Sequence, residues 1–104
     1  MIKSLWLEAI KQHTEPFKGQ EQERVVRRID GREGSMEVFL QGLEHTDYGG
    51  GGHTRLEAQR VRIDSDDFLV LYDHTEWSDG ERDTISYVLW RDIRTIKFYW
   101  AGRK

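Results

Sequence analysis

The sequence predicts one mainly β domain of the α+β kind, with an N-terminal helix capping a strongly bent antiparallel sheet or small barrel of five to six strands. Three observations predict it. Apolar residues near the N-terminus recur at spacings of three and four, which marks one face of an α-helix. Beyond Pro16, the only proline, alternating apolar and polar residues take over, the pattern of half-buried strands. Gly, Asp and Ser clusters separate these runs. Short strands divided by turns favour a bent or closed sheet, because closure removes exposed edges.

The helix is expected over residues 4–14. Ile2, Leu5, Trp6, Ala9, Ile10 and His13 form its apolar face, Ser4 is its candidate N-cap, and Glu8 sits near the favourable positive end of the dipole. Pro16 stops it, lacking an N–H and pushing Glu15 out of the α region. A helix this short persists only when packed, and Trp6 is its expected anchor.

Strands are expected within residues 23–100. After a polar link containing Gly19, the first covers residues 23–29 with Val25, Val26 and Ile29. The two glycines of residues 30–34 make a hairpin connection. In the next strand, residues 35–43, Met36, Val38 and Leu40 alternate with Glu37, Phe39 and Gln41. Residues 45–54 form a glycine-rich flexible loop, since Gly49–Gly52 have no side chains to pack. Residues 56–63 read as one strand with Val61 and Ile63 in phase. Phe68, Leu69, Val70, Leu71 and Tyr72 are continuously apolar, as in a central strand buried on both faces. Ser78-Asp79-Gly80 is a turn signal. Residues 84–90 carry Ile85, Tyr87 and Leu89 on one face, Arg91-Asp92 is a tight connection, and residues 93–100 form the last strand.

Composition narrows the chemistry. The 104 residues make one domain, 1–104. Twelve aromatic residues, four each of Trp, Tyr and Phe, supply a core that disordered chains lack. The absence of cysteine excludes disulfides, thiolate catalysis and Cys-ligated metals, and with no signal-peptide pattern it leads to a cytoplasmic expectation. No apolar run reaches the ~18 residues that span a membrane, so no membrane partner is expected.

The net charge of −3 gives no global attraction to nucleic acid. Its distribution is uneven. Residues 64–83 hold eight acids against one base, and residues 91–104 hold five bases against one acid.

Asp30-Gly31-Arg32-Glu33, the run from Leu40 to Asp47, the run from Phe68 to Asp73, and residues 85–96 together carry a resemblance. They are similar to the strands and turns of the Sm-like small barrels (LSm and Hfq-like proteins), and the layout of a short helix before a bent five-strand sheet resembles that family. The resemblance implies an Sm/SH3-like fold, a homo-oligomer and RNA binding. Arg91 is followed by Asp92, where the family's RNA-binding turn carries Arg or Lys before Gly. Residues 48–53 and 56–63 have no counterpart in the pattern.

The leading expectation is a non-enzymatic binding module, an oligomeric small barrel for RNA or single-stranded nucleic acid. Arg91, Arg94, Lys97 and Tyr99 are its candidate contacts, because cations follow phosphates and aromatic faces stack bases. Strand alternation points Phe98 and Trp100 inward and leaves Lys97 and Tyr99 outside. The alternative is a protein-interaction or small-ligand barrel without a nucleic-acid role. A third reading is a metal-dependent enzyme using His45, Asp47 and His53 in the glycine-rich loop, with His74 in another. No cofactor is expected. No Gly-x-Ser-x-Gly elbow, Walker lysine or complete calcium loop is present.

Overall fold

A computed structural model describes residues 2–41 and 54–101. Among the described residues, one helix is followed by eight strands in two antiparallel sheets. Helix α1 spans Ile2–His13. The strands are β1 Thr14–Phe17, β2 Gln20–Val26, β3 Gly34–Leu40, β4 Thr54–Ala58, β5 Arg60–Arg62, β6 Phe68–Trp77, β7 Gly80–Leu89 and β8 Ile93–Trp100. The five-stranded sheet runs β1-β2-β5-β6-β7 and the three-stranded sheet β4-β3-β8. Among the described residues no helix is long and apolar enough to cross a membrane.

The mainly β expectation holds, and several boundaries move. The helix begins two residues earlier than expected, so Ser4 lies inside it and does not cap it. Its buried stripe is also rotated. Trp6, Leu7 and Ile10 meet the core, whereas Leu5 is 74% exposed. The helix ends because Thr14 turns directly into β1. Pro16 sits in that edge strand, where a missing N–H is tolerated.

The expected polar link is a hairpin. Lys18 and Gly19 have φ of 52° and 78° and join Phe17 to Gln20. Both central residues of such a two-residue turn need positive φ, and glycine supplies one without strain. Asp30-Gly31 repeats the device, with φ of 52° and 77°, between Ile29 and Arg32.

The single strand expected at 56–63 is two strands in different sheets. Ala58 and Val61 are both buried, a spacing of three that a straight strand does not allow. The backbone turns the corner at Gln59. There, Gln59 N–H donates to Tyr72 O at 3.1 Å and Gln59 O accepts from Val26 N–H at 2.9 Å. The side-chain amide joins the corner to β6, donating to Asp73 Oδ1 at 2.8 Å and accepting from His74 N–H at 2.9 Å. Arg91-Asp92 is a tight connection as expected, formed by a 3-10 turn over Trp90–Asp92. Trp90 belongs to that turn and is buried, with its Nε1 donating to Ser65 O at 3.0 Å.

The core lies between the sheets and under α1. Met36, Val38, Val61, Leu69 and Leu71 are at most 1% exposed. Val70, on the outer side of β6, is also buried, so β6 is covered on both faces at that position, while Phe68 and Tyr72 beside it are half-buried and His74 and Glu76 are exposed.

A buried polar latch fastens the helix to the sheet. Arg24 Nε donates to Thr14 Oγ1 at 2.8 Å, and its Nη2 donates to Thr14 O at 3.1 Å. Thr14 Oγ1 in turn donates to Ile10 O at 2.6 Å, and Arg27 N–H donates to His13 O at 2.9 Å. Carbonyls that a helix end leaves unpaired are thus satisfied from β1 and β2, and the arginine charge suits the negative end of the helix.

Two substitutions test this packing. Thr14→Val removes one acceptor of a buried guanidinium, the hydroxyl that Arg24 Nε uses, and should cost about 1–3 kcal/mol in urea unfolding. Gly34→Ala should cost a similar ~1–3 kcal/mol, because a Cβ there would lie 2.5 Å from Val26 Cγ1 and 2.7 Å from Trp100 Nε1. An unchanged midpoint for either variant contradicts the assigned contact.

Candidate functional site on the outer sheet face

Register decides what the five-stranded sheet presents to solvent. Leu69, Leu71 and Val88 point inward. The alternate positions of β6 and β7 therefore point outward, and cross-strand pairing matches Val70 with Tyr87, Tyr72 with Ile85, His74 with Asp83, and Glu76 with Glu81. An antiparallel sheet with one wet face ordinarily places polar residues there. Here Ile85, Tyr87 and Leu89 are 56%, 67% and 38% exposed. Phe68 packs edge-on to Tyr87 with ring centroids 5.3 Å apart.

A cleft of about 540 Å³ opens on this face. Phe17, Arg60, Tyr72, His74, Asp83 and Ile85 are among its lining residues. The Arg60 guanidinium lies 4.5 Å from the ring centroids of both Phe17 and Tyr72, so aromatic faces hold the cation on two sides. Arg60 Nε is 3.2 Å from Glu23 Oε1, an ion pair without hydrogen-bond alignment.

Beyond the cleft, the two-residue turn Ser78-Asp79 joins β6 to β7. His74 Nδ1 is 2.7 Å from Asp83 Oδ1. A carboxylate only accepts, so Nδ1 carries the proton. The other nitrogen, Nε2, faces Glu76 Oε1 at 3.9 Å and Glu81 Oε2 at 4.0 Å. The His74 pKa is raised, chiefly by the Asp83 hydrogen bond. Desolvation opposes this in part, and the charges of Asp83, Glu81 and Glu76 add to it.

The sequence-predicted contacts fall elsewhere. Arg91 is in the 3-10 turn, and Arg94, Lys97 and Tyr99 follow on β8, all exposed. Arg94 and Lys97 line a shallow cleft of about 510 Å³ together with Phe39 and Thr95, with Lys97 Nζ 5.1 Å from the Phe39 ring centroid. Arg91 lies beside a different cleft, with Asp66, Asp67 and Leu89. Carboxylates interrupt the basic strand. Glu37 pairs with Arg55 at 2.9 Å and stands opposite Lys97 in the ladder. The Tyr99 hydroxyl has a raised pKa, first from burial and then from the nearby Glu57 charge. Phe98 and Trp100 are turned toward the interior, half-buried, as strand alternation predicts. His45, Asp47 and His53 lie outside the described residues.

Sequence reasoning missed the His74–Asp83 and Glu76–Glu81 pairs. The turn at Ser78-Asp79 was visible, and carrying both strands up to it would have generated every pair by counting outward.

No family model, curated protein or solved structure matches the chain.

In chelator-treated protein, the His74 ring protons should titrate above the ordinary 6.5, and Asp83→Asn should bring the midpoint down. Because the folded value is raised, the contribution of His74 to stability is complete below the unfolded value and is lost as pH rises through the folded one. An NMR titration with no difference between the two proteins would remove the assigned contact.

Proposed function

We propose that the chain is a non-enzymatic binding module that assembles with copies of itself through the edge strands of its two sheets. The observation that carries this reading is the apolar outer face of β7, where Ile85, Tyr87 and Leu89 stand in water on a strand with no neighbour on one side among the described residues. Exposed apolar patches mark interaction surfaces, and an open edge offers unpaired N–H and C=O groups to another strand.

A second copy is the occupant that charge favours. β7 carries Glu81 and Asp83 around Arg82, while β8, an edge of the other sheet among the described residues, carries Arg94 and Lys97. Contact between two different edges is heterologous, so it builds a ring or an open array. The helix followed by antiparallel strands is in keeping with the Sm-like resemblance, from which the β1–β2 hairpin and the division into two sheets depart. The cysteine-free composition supports a cytoplasmic placement within the same proposal.

Light scattering after size exclusion should show a species larger than one chain. Ile85→Lys combined with Tyr87→Glu should reduce it to a monomer with unchanged circular dichroism, since both side chains are already exposed. A wild-type monomer at every concentration would falsify the assembly.

One observation favours a second ligand. Phe39, Arg94 and Lys97 line one shallow cleft, with Lys97 over the Phe39 ring, a combination suited to a base and its phosphate. Single-stranded RNA should then bind at low salt and weaken steeply as salt rises. Arg94→Glu with Lys97→Glu should abolish that binding, and equal affinity in this variant excludes the β8 cleft.

A further inference from the structure

We propose that the turn end of the β6–β7 hairpin binds one divalent transition-metal ion of the zinc class through His74 Nε2 and the carboxylates of Glu76 and Glu81. The proposal does not rest on RNA binding or on self-assembly, although Glu81 and Asp83 also supply the acidic charge of the β7 edge. It shares His74 with the metal reading drawn from the sequence, and Glu76 and Glu81 take the place of His45, Asp47 and His53.

The geometry comes from the register. Glu76 stands opposite Glu81, and His74 lies two positions back on the same face. Their ligand atoms all fall within 4.8 Å of one another. Metal bonds of about 2.0–2.1 Å at tetrahedral angles place neighbouring ligand atoms about 3.4 Å apart. The Nε2-to-carboxylate distances of 3.9 and 4.0 Å therefore need to shorten by about half an ångström, and the carboxylate pair, within 4.8 Å, by at most about 1.4 Å to bind an ion. Exposed glutamate side chains can supply that by small rotations. Like charges directly opposed in a ladder repel, and an ion between the two carboxylates relieves the repulsion.

Orientation is already provided. Asp83 accepts the Nδ1 proton, which leaves Nε2 as the donor atom toward the carboxylates. A carboxylate behind a metal-binding imidazole fixes its tautomer and raises its basicity. One imidazole nitrogen with two carboxylate oxygens selects zinc-like ions over calcium and magnesium, which take oxygen ligands.

A separate feature makes the location more than an acidic surface. The cleft beside it uses His74 and Asp83 as part of its wall, with the Phe17 and Tyr72 rings and the Arg60 cation further in. An ion with three protein ligands keeps a fourth position open, and the cleft is the adjacent space for whatever occupies that position.

The test is calorimetric titration of the full, chelator-stripped chain with zinc chloride at about pH 8, where metal competes well with protons for imidazole. One zinc per chain is expected, with amide shifts confined to residues 74–83. Asp83→Asn should weaken binding by about 10–100-fold. His74→Gln and Glu81→Gln should weaken it at least as much, and all three substitutions are near-isosteric on an exposed ribbon. A His45→Ala, His53→Ala variant should keep the site. Absence of zinc binding in the wild type overturns the proposal. So does undiminished binding in the His74→Gln, Glu81→Gln variant, or loss only in the His45/His53 variant.

Discussion

The fold depends on keeping one buried cation satisfied. The Arg24 guanidinium is covered by protein, and an unpaired charge there would cost several kcal/mol (roughly 3–5 when a partner is removed). Its acceptors are Thr14 Oγ1, Thr14 O and the exposed Glu21 carboxylate. Thr14 is the first residue after α1, so satisfying Arg24 also sets where the helix ends and how it meets β2. The rest of the core follows from that placement. Ile10, one turn before the helix end, is fully buried, and Leu7 and Trp6 close the same side.

Much of this was legible in the sequence where one physical signal dominated. The three- and four-residue apolar spacing located the helix, although its end is set by Thr14 and not by Pro16. Met36, Val38 and Leu40 located β3, and Asp30-Gly31 located its preceding turn. The corner at Gln59 was harder to see because strand propensity continues through it. Its signal was a change of phase. Leu56 and Ala58 are even-numbered, and Val61 and Ile63 are odd-numbered, so no single straight strand buries all four. The helix stripe was misplaced for a related reason. Leu5 and Leu7 are equally apolar, and only tertiary packing selects Leu7.

The candidate site was less legible, because it depends on register between strands rather than on any local motif. Phe17, Arg60 and Tyr72 come from β1, β5 and β6, and nothing in their immediate neighbours announces that they stack. The basic segment near the C-terminus was visible as a charge imbalance. The structure divides it by sheet face and by turn, so Arg91 separates from Arg94 and Lys97. Glu37 and Glu57 enter the same surface from strands far away in sequence.

The length mismatch between β5 and its neighbours has a dynamic consequence. β5 has three residues and supports only Val70–Tyr72 of β6. Among the described residues, the hairpin from Asp73 to Thr84 is a two-stranded ribbon, tied at its base by the Gln59 amide. A ribbon without a third strand is marginal in water, whereas the segment around Leu71 opens only with the whole core. Amide exchange should therefore fall from fast to slow along a single hairpin. The end that exchanges fastest carries His74, Glu76 and Glu81, so that part of the molecule can be ordered or released without unfolding the rest.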